Sequence, residues 1–328
     1  MKKLSQLTDF YYETLYPSLK ELEKQRTQLK HRLIVLGIIY TTVFIFLYFV
    51  LAPAVSSSWD LLSVLVFIYL TIGAIGYKYL IKDYASEFKI KIIAPLIDAI
   101  DKNLSYTPTT HVPEHLFRKS ELFTSSIDRL SGNDYVRGKI DDVNIQFSDI
   151  HAQQRVRNSK GKDEWKTLFE GLFIVAEFNK NFYGKTVVLP DMAQNRFGNL
   201  LGSWLQSNNF TRDTLVKMDN NAFEKEFVVY GSDQIEARYI LSHSLMKRLL
   251  VFKNKAKKPV YISFIGNHIH IAIDYSKDLF EPSVFHSLLE YKVAMDYVET
   301  LHLSLGVVEE LKLNQKLWKN HKKNTKLE

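Results

Sequence analysis

Two uncharged apolar runs, Leu33 to Leu51 and Leu61 to Tyr77, stand near the start of this chain, and the link between them, Ala52 to Asp60, contains no lysine or arginine. At about 1.5 Å of helical rise per residue the first run is roughly 28 Å long, close to the hydrocarbon thickness of a bilayer. The second is slightly shorter and is extended by Trp59 and Tyr79, side chains that favour the membrane interface. Hydroxyls inside the runs (Thr41, Thr42, Ser63, Thr71) can bond their own helix's carbonyls and so are compatible with a span. Core helices of a soluble protein normally carry a polar stripe, and these runs carry none. A cleavable signal peptide fits poorly, because the first run exceeds about 15 residues and follows a long charged segment. The pattern predicts a membrane hairpin.

Its orientation follows from the flanks. Lys20, Lys24, Arg26, Lys30 and Arg32 precede the hairpin, and Lys78, Lys82, Lys89 and Lys91 follow it. Such cations stay on the cytoplasmic side while short uncharged loops cross. The expectation is a multi-pass protein of the bacterial inner membrane with both termini in the cytosol. Gly73, Ala74 and Gly76 form a small-residue surface where the first helix can approach closely, at a spacing too weak to define a dimerisation motif.

Helical periodicity continues on both sides. Leu15, Leu22 and Leu29 recur every seven residues with Leu19 and Leu33 beside them, and Phe88, Ile92, Ile93, Leu96, Ile97, Ile100 and Leu104 recur at three and four. Leaving the bilayer on the same side, these stretches are expected to pair antiparallel as a stalk, bent or restarted at Pro17 and Pro95.

A chain of 328 residues, 46% of them hydrophobic, has room for the hairpin and one globular domain of ordinary size. The net charge of +7 lies largely beside the apolar runs and in the tail (Lys312, Lys316, Lys319, Lys322, Lys323, Lys326), which favours anionic lipid or topology over nucleic acid. With no cysteine, disulfides, thiolate nucleophiles and cysteine-based metal sites are excluded.

Thr107, Pro108, Thr109, Thr110 and Pro113 mark a linker, after which the pattern changes. A short helix is expected over Glu114 to Leu122, then strands at Tyr135 to Ile140, Val143 to Ile150, Leu168 to Phe178, Lys185 to Leu189, Thr214 to Met218 and Phe223 to Val229. A polar hairpin tip or disordered loop is expected at Arg157 to Glu164, and helices at Met192 to Gln206 and Asp233 to Phe252. Val260 to Phe264 and His268 to Ile273 flank Gly266-Asn267, a tight hairpin turn. Helices over Pro282 to Leu305 and Val307 to Leu317 close the chain. Strands joined mostly by short turns, with helices inserted between sets, predict an α+β domain with a mostly antiparallel sheet. The expected boundaries are 1–32 for a cytosolic amphipathic helix, 33–79 for the hairpin, 80–104 for the stalk helix, 105–318 for the α+β domain and 319–328 for a basic tail.

Candidate chemistry is sparse. His268 and His270 share one face of a strand and Asp274 has matching parity, so a two-histidine, one-carboxylate metal site is conceivable. The competing reading is an exposed polar sheet face opposite buried Ile269, Ile271 and Ile273. His111 and His115 lose helical registry to Pro113. Asp233 and Glu236 resemble an acid/base pair but suit helix capping, with Asp233 accepting from the backbone and Glu236 reaching back, and Arg238 is positioned to pair with a nearby carboxylate. No phosphate loop or nucleophile elbow occurs, and Gly198 and Gly202 lie within a helical pattern. Tyr261, Phe264, Phe280 and Phe285 fall where a core needs them, not on an RNA-stacking face.

The segments Phe169-Glu170-Gly171-Leu172-Phe173, Gly184-Lys185-Thr186, Pro190-Asp191, Phe223-Glu224-Lys225, Asp233 through Leu241, Ser263-Phe264-Ile265 and Leu279-Phe280-Glu281-Pro282 are similar to those of a bacterial membrane-protein family carrying a domain of unknown function. The resemblance implies two membrane helices before a cytosolic domain and supplies no catalytic residues. Gly171 and Pro282 are equally explained by a bulge and a helix start. The leading expectation is a non-enzymatic binding or scaffold module tethered to the membrane, without a cofactor and without nucleic acid, whose partners are the lipid bilayer and a protein or a second copy. The rivals are a membrane-tethered metal-dependent hydrolase using His268, His270 and Asp274, and an accessory subunit of a transport or envelope-stress complex.

Overall fold

The computed structural model describes residues 10–54, 58–159, 161–178, 181–191 and 213–313. The helix expected at Met192 to Gln206, with Gly198 and Gly202, and the basic tail lie outside the described residues. The chain divides into a helical unit, Lys3–Ala99 with Phe280–Val298, and a sheet unit built from Ile100–Leu279 and the chain from Glu299 onward.

In the helical unit a π-helical turn, Tyr11–Leu15, leads into α1, Tyr16–Leu51. A single turn at Ala52–Ala54 precedes α2, Ser58–Phe88, which runs through a second π-helical turn, Lys89–Ile93, into α3, Ala94–Ile100. Pro17 and Pro95 each stand two residues after a π-helical turn, where the widened backbone of a continuous helix accommodates a residue without an N–H. Both long helices have the length and apolarity to cross a membrane. None of the most apolar window of the first is buried and only 6% of that of the second, with Phe46, Phe49 and Phe67 about two-thirds exposed or more, so these are not core helices. Thr41, Thr42, Ser63 and Thr71 donate to Gly37, Ile38, Asp60 and Phe67 carbonyls of their own helices at 2.8–2.9 Å. Tyr40 stacks on Tyr69 with ring centroids 4.6 Å apart and donates to its carbonyl, and the Tyr40 ring lies beside Gly73. Gly76 faces open space.

Below the apolar windows the same two helices bury their stripes. Leu15, Leu19 and Leu22 on one and Phe88, Ile92, Ile93 and Leu96 on the other are buried, and the Lys91 ammonium bridges Glu21 (3.0 Å) and Glu87 (3.2 Å) while Gln25 donates to Glu87. Partners ascend one helix as they descend the other, which is the antiparallel pairing the periodicity predicts. Leu104 is the exception, because it opens a strand.

The segment after Phe280 was expected to be helical from Pro282. It is an irregular strap of bends and a turn to Glu290, followed by α8, Tyr291–Glu310. The strap's backbone groups are taken by side chains of the long helices. Arg26 donates to the Val284 carbonyl, Tyr84 to the Ser283 carbonyl, and the Glu23 carboxylate accepts from the Leu288 N–H and the Ser287 hydroxyl. Lys89, buried, pairs with Glu281 at 2.6 Å. Arg26 and Lys89, two of the flanking cations, are thus internal ion-pair partners. Phe285, placed in the core by its sequence context, is 55% exposed on the strap.

Among the described residues the sheet unit is one nine-stranded antiparallel sheet: β1 Leu104–Thr107, β2 Arg129–Ile140, β3 Val143–Arg157, β4 Asp163–Glu177, β5 Lys185–Pro190, β6 Thr214–Val216, β7 Phe227–Gly231, β8 Val260–Ile265 and β9 His268–Asp274, in the order β1-β2-β3-β4-β9-β8-β5-β7-β6. With helices alongside, it is an α+β fold. Asp141 and Asp142, both at positive φ, close the β2–β3 hairpin in two residues, and Gly266-Asn267 closes β8–β9 as expected. The short helix α4, Glu114–Lys119, starts after Pro113. Two expected elements differ. Phe223 lies in a helical turn, α5 Asn221–Glu224, capped by the Asn220 side chain, with the strand starting at Phe227. The single helix expected over Asp233 to Phe252 is two, α6 Gln234–Ile240 and α7 His243–Ala256, because Leu241 leaves helical geometry and Ser242 caps a new start by accepting from the Leu245 N–H.

Asp233 caps α6 by accepting from the Ile235 and Glu236 N–H groups. Glu236 does not reach back. Its two oxygens accept from the Tyr183 (3.0 Å) and Gly184 (2.7 Å) N–H groups, and Ser232 accepts from the Lys185 N–H, which pins the entry of β5 to the start of α6. A Cβ on Gly184 would meet Ser232 Oγ at 2.5 Å and so would displace the hydroxyl that accepts from the Lys185 N–H. Arg238 donates to the Lys217 carbonyl instead of pairing with a carboxylate.

Candidate ligand-binding trough

Strand alternation gives the sheet two unlike faces. On one, Val136, Ile140, Val143, Ile145 and Phe147 are buried with Ile269, Ile271 and Ile273. On the other, β1 to β4 and β9 carry an apolar half and a polar half. The apolar half is roofed by α4 and the chain to Ile127: Phe117 stacks on Phe123 (5.4 Å) and meets Phe173 edge-on (4.8 Å), joined by Val112, Phe169 and Tyr261 in one buried cluster.

The roof stops at Val175, which belongs both to that cluster and to the wall of the open remainder. There the sheet forms a trough of about 600 Å³. Register builds it in rows. Ser105, Arg137 and Gln146 lie side by side, Lys139 and Asn144 form the next row, and Glu177 stands opposite His268 on the far wall. Tyr135 donates to Gln146 Oε1 at 2.7 Å, which turns the Gln146 amide N–H groups outward as donors.

Of the sequence candidates, His268 lines this trough. His270 is its neighbour on the same face, with ring centroids 6.1 Å apart, but it is fully buried under Phe173. The face is therefore not the exposed polar surface that was the competing expectation. Asp274 lies four residues from His270, roughly 13 Å along the strand at about 3.3 Å per residue. Its carboxylate accepts from the Ser276 N–H and hydroxyl at 3.0 Å. The three do not converge, and among the described residues no group of three or more histidines and carboxylates could hold a metal ion. His111 precedes α4, its ring at 2.7 Å from the Val112 carbonyl, and shares no site with His115.

Burial, with help from the neighbouring His268 and Lys119 charges and against the Ser263 contact, pushes the His270 pKa down to about 3. His268 is lowered less, by burial and Lys119 acting against Glu177. His270 is therefore neutral, and its Nε2 has no hydrogen-bond partner. A depressed folded-state pKa means that only the unfolded chain takes up this proton between about pH 6.5 and pH 3. Stability is full above pH 6.5 and falls below it, by up to about 1.4 kcal/mol per pH unit from this group. His270→Phe is expected to flatten that acid limb in thermal unfolding followed from pH 7 to 4, and to match or exceed wild-type stability at pH 7. An unchanged acid limb would contradict this assignment.

Arg137, Lys139, Asn144, Gln146 and Glu177 were missed from sequence, because alternating polar residues on a strand read as an ordinary solvated face. The signal was present only as polar positions on adjacent hairpin strands in the same register.

A family model described as "Protein of unknown function (DUF3137)" matches residues 167–313, a range that holds all of the segments on which the family resemblance rests. No curated protein matches. Among solved structures the chain is similar, at a TM-score of 0.33 and 8% identity, to the crystal structure of the mycobacterial trehalose monomycolate transport factor A, TtfA, over 64% of this chain and 93% of that one.

Proposed function

We propose that this chain is a membrane-anchored binding module. The α1–α2 hairpin sits in a bacterial inner membrane with both termini in the cytosol, and the sheet domain binds its ligand or partner there. The observation that carries this reading is the abrupt change along α1 and α2. Their apolar windows are exposed except where the two helices meet at Tyr40, Leu65 and Tyr69, whereas the same helices nearer the chain's N-terminus and past Tyr84 bury their stripes and neutralise their charges in pairs. Leaving some 18 residues of unbroken apolar helix surface in water is strongly unfavourable, and a bilayer removes that cost. Exposed Lys20, Lys24 and Arg32 on one side and Lys78 and Lys82 on the other then stand at one interface, as cytoplasmic retention of cations requires.

Reporter fusions test the orientation. A periplasm-active phosphatase fused at Ser57 should be active and one fused at the C-terminus inactive, with the reverse for a fluorescent protein that matures only in the cytosol. An active phosphatase at the C-terminus would overturn the proposal.

A further inference from the structure

We infer that the trough is an oxyanion-binding site, taking a small molecule with a carboxylate or phosphate at one end and a hydroxyl or amine at the other. This deepens the reading of the sheet domain as a binding module and rests on it.

Three observations support the assignment. First, a concavity of about 600 Å³ lies within the range of roughly 300–1,000 Å³ typical of small-molecule sites. Second, its β1–β3 wall is made of donors. The Arg137 guanidinium has neither a hydrogen bond nor an ion pair among the described residues. Lys139 is held only by Asp142 at 3.2 Å, a pair 54% and 80% exposed and so worth little. The amides of Gln146 and Asn144 stand beside these cations in the same two register rows. An unpaired guanidinium fork flanked by an ammonium and neutral N–H donors matches the planar, two-oxygen geometry of a carboxylate or phosphate. Third, the far wall has the opposite character. Glu177 falls in the register row of Lys139 and Asn144, two strands from Lys139 and roughly 10 Å away at about 4.8 Å per strand, and faces His268. A carboxylate there rejects a second anionic group and accepts from a hydroxyl or ammonium. The two walls thus orient a ligand end to end.

Isothermal titration calorimetry of the full-length protein in detergent micelles, at pH 7 and low salt, tests this with ribose 5-phosphate, gluconate and uncharged ribose. Saturable binding of ribose 5-phosphate or gluconate, without binding of ribose, is expected; which anion binds identifies the headgroup as phosphate or carboxylate. Arg137→Gln should weaken that binding at least tenfold, Lys139→Gln several-fold, and Arg155→Gln, outside the trough, not at all. Glu177→Gln should weaken ribose 5-phosphate more than inorganic phosphate, which lacks the hydroxyl end. Equal binding of ribose, an Arg137→Gln effect no larger than that of Arg155→Gln, or no saturation by either anion would overturn the inference. The fusion experiment is unaffected by any of these results, so the anchor can stand while the oxyanion site falls.

Discussion

Gly171→Ala is expected to lower the thermal unfolding midpoint of the sheet domain by about 6–12 °C, from a loss of about 3 kcal/mol at roughly 2–4 °C per kcal/mol for a domain of this size. Gly171 lies on β4, the strand joined to both β3 and β9, with φ at 154°. A Cβ there would press into the Ile273 carbonyl oxygen and stand 2.8 Å from the Tyr275 amide nitrogen. Both are backbone atoms of the neighbouring strand and its exit, so no side-chain rotation relieves the contact. The strain of a conformation essentially reserved for glycine costs about 1–3 kcal/mol. The displaced chain also loses the bonds by which the Glu170 carbonyl accepts from the Tyr275 and Ser276 N–H groups. Circular dichroism of the variant in detergent, read at the sheet signal, measures the shift. A midpoint within about 2 °C of wild type would show that β9 yields easily and that Gly171 has no structural role.

Glu23→Ala should cost the helical unit about 3 kcal/mol, within the range seen when one partner of a buried ion pair is removed. The Arg26 and Glu23 side chains are only 9% and 16% exposed, and the guanidinium grips both carboxylate oxygens at 2.8–2.9 Å while donating to the Val284 carbonyl at 2.6 Å. Burial alone would raise the Glu23 pKa. The hydrogen bonds from Arg26, the Leu288 N–H and Ser287, with the Arg26 charge, hold it below the ordinary value. Removing the carboxylate strands a charge and two strap donors. Limited proteolysis should therefore cut Glu23→Ala within residues 281–290 much faster than wild type, and Glu23→Leu combined with Arg26→Met should recover much of the loss, because an apolar pair leaves no orphaned charge. Equal cleavage of Glu23→Ala and wild type would mean that the strap is held by Lys89–Glu281 and apolar contacts alone.

Much of this architecture was legible because local chemistry and long-range packing agree. The uncharged runs, the hydroxyls that satisfy themselves within their helices, the Leu15-Leu19-Leu22 stripe and the Gly266-Asn267 turn each specify one structure by short-range rules. Where reading failed, a tertiary partner outbid a local one. Glu236 sits three residues after an N-cap, the spacing of a reciprocal cap, yet it accepts from the amides of Tyr183 and Gly184, more than fifty positions earlier. Pro282 suits a helix start, but the backbone groups of the segment after it are taken by donors and acceptors on α1 and α2, which hold it in an irregular strap. Ser242 starts a new helix although the apolar periodicity continues through Leu241 and Leu245, so the pattern alone merges α6 with α7. His268 and His270 share parity as expected, but His270 is buried against Phe173 of β4 while His268 stays open to the trough, a difference set by a strand far away in sequence. The donor wall around Arg137 required knowing which polar positions of β1, β2 and β3 fall into the same rows.

The natural absence of cysteine makes single-site labelling the most direct test of the central claim, that an α1–α2 hairpin holds a cytosolic binding domain at the membrane. Ser57→Cys, between the two long helices in sequence, and Ser159→Cys, at the tip of the β3–β4 hairpin, would be exposed in intact spheroplasts to a membrane-impermeant maleimide. The account predicts labelling of Ser57→Cys in intact spheroplasts and of Ser159→Cys only after the membrane is permeabilised. Labelling of Ser159→Cys before permeabilisation, or recovery of the protein in the soluble fraction, would contradict it.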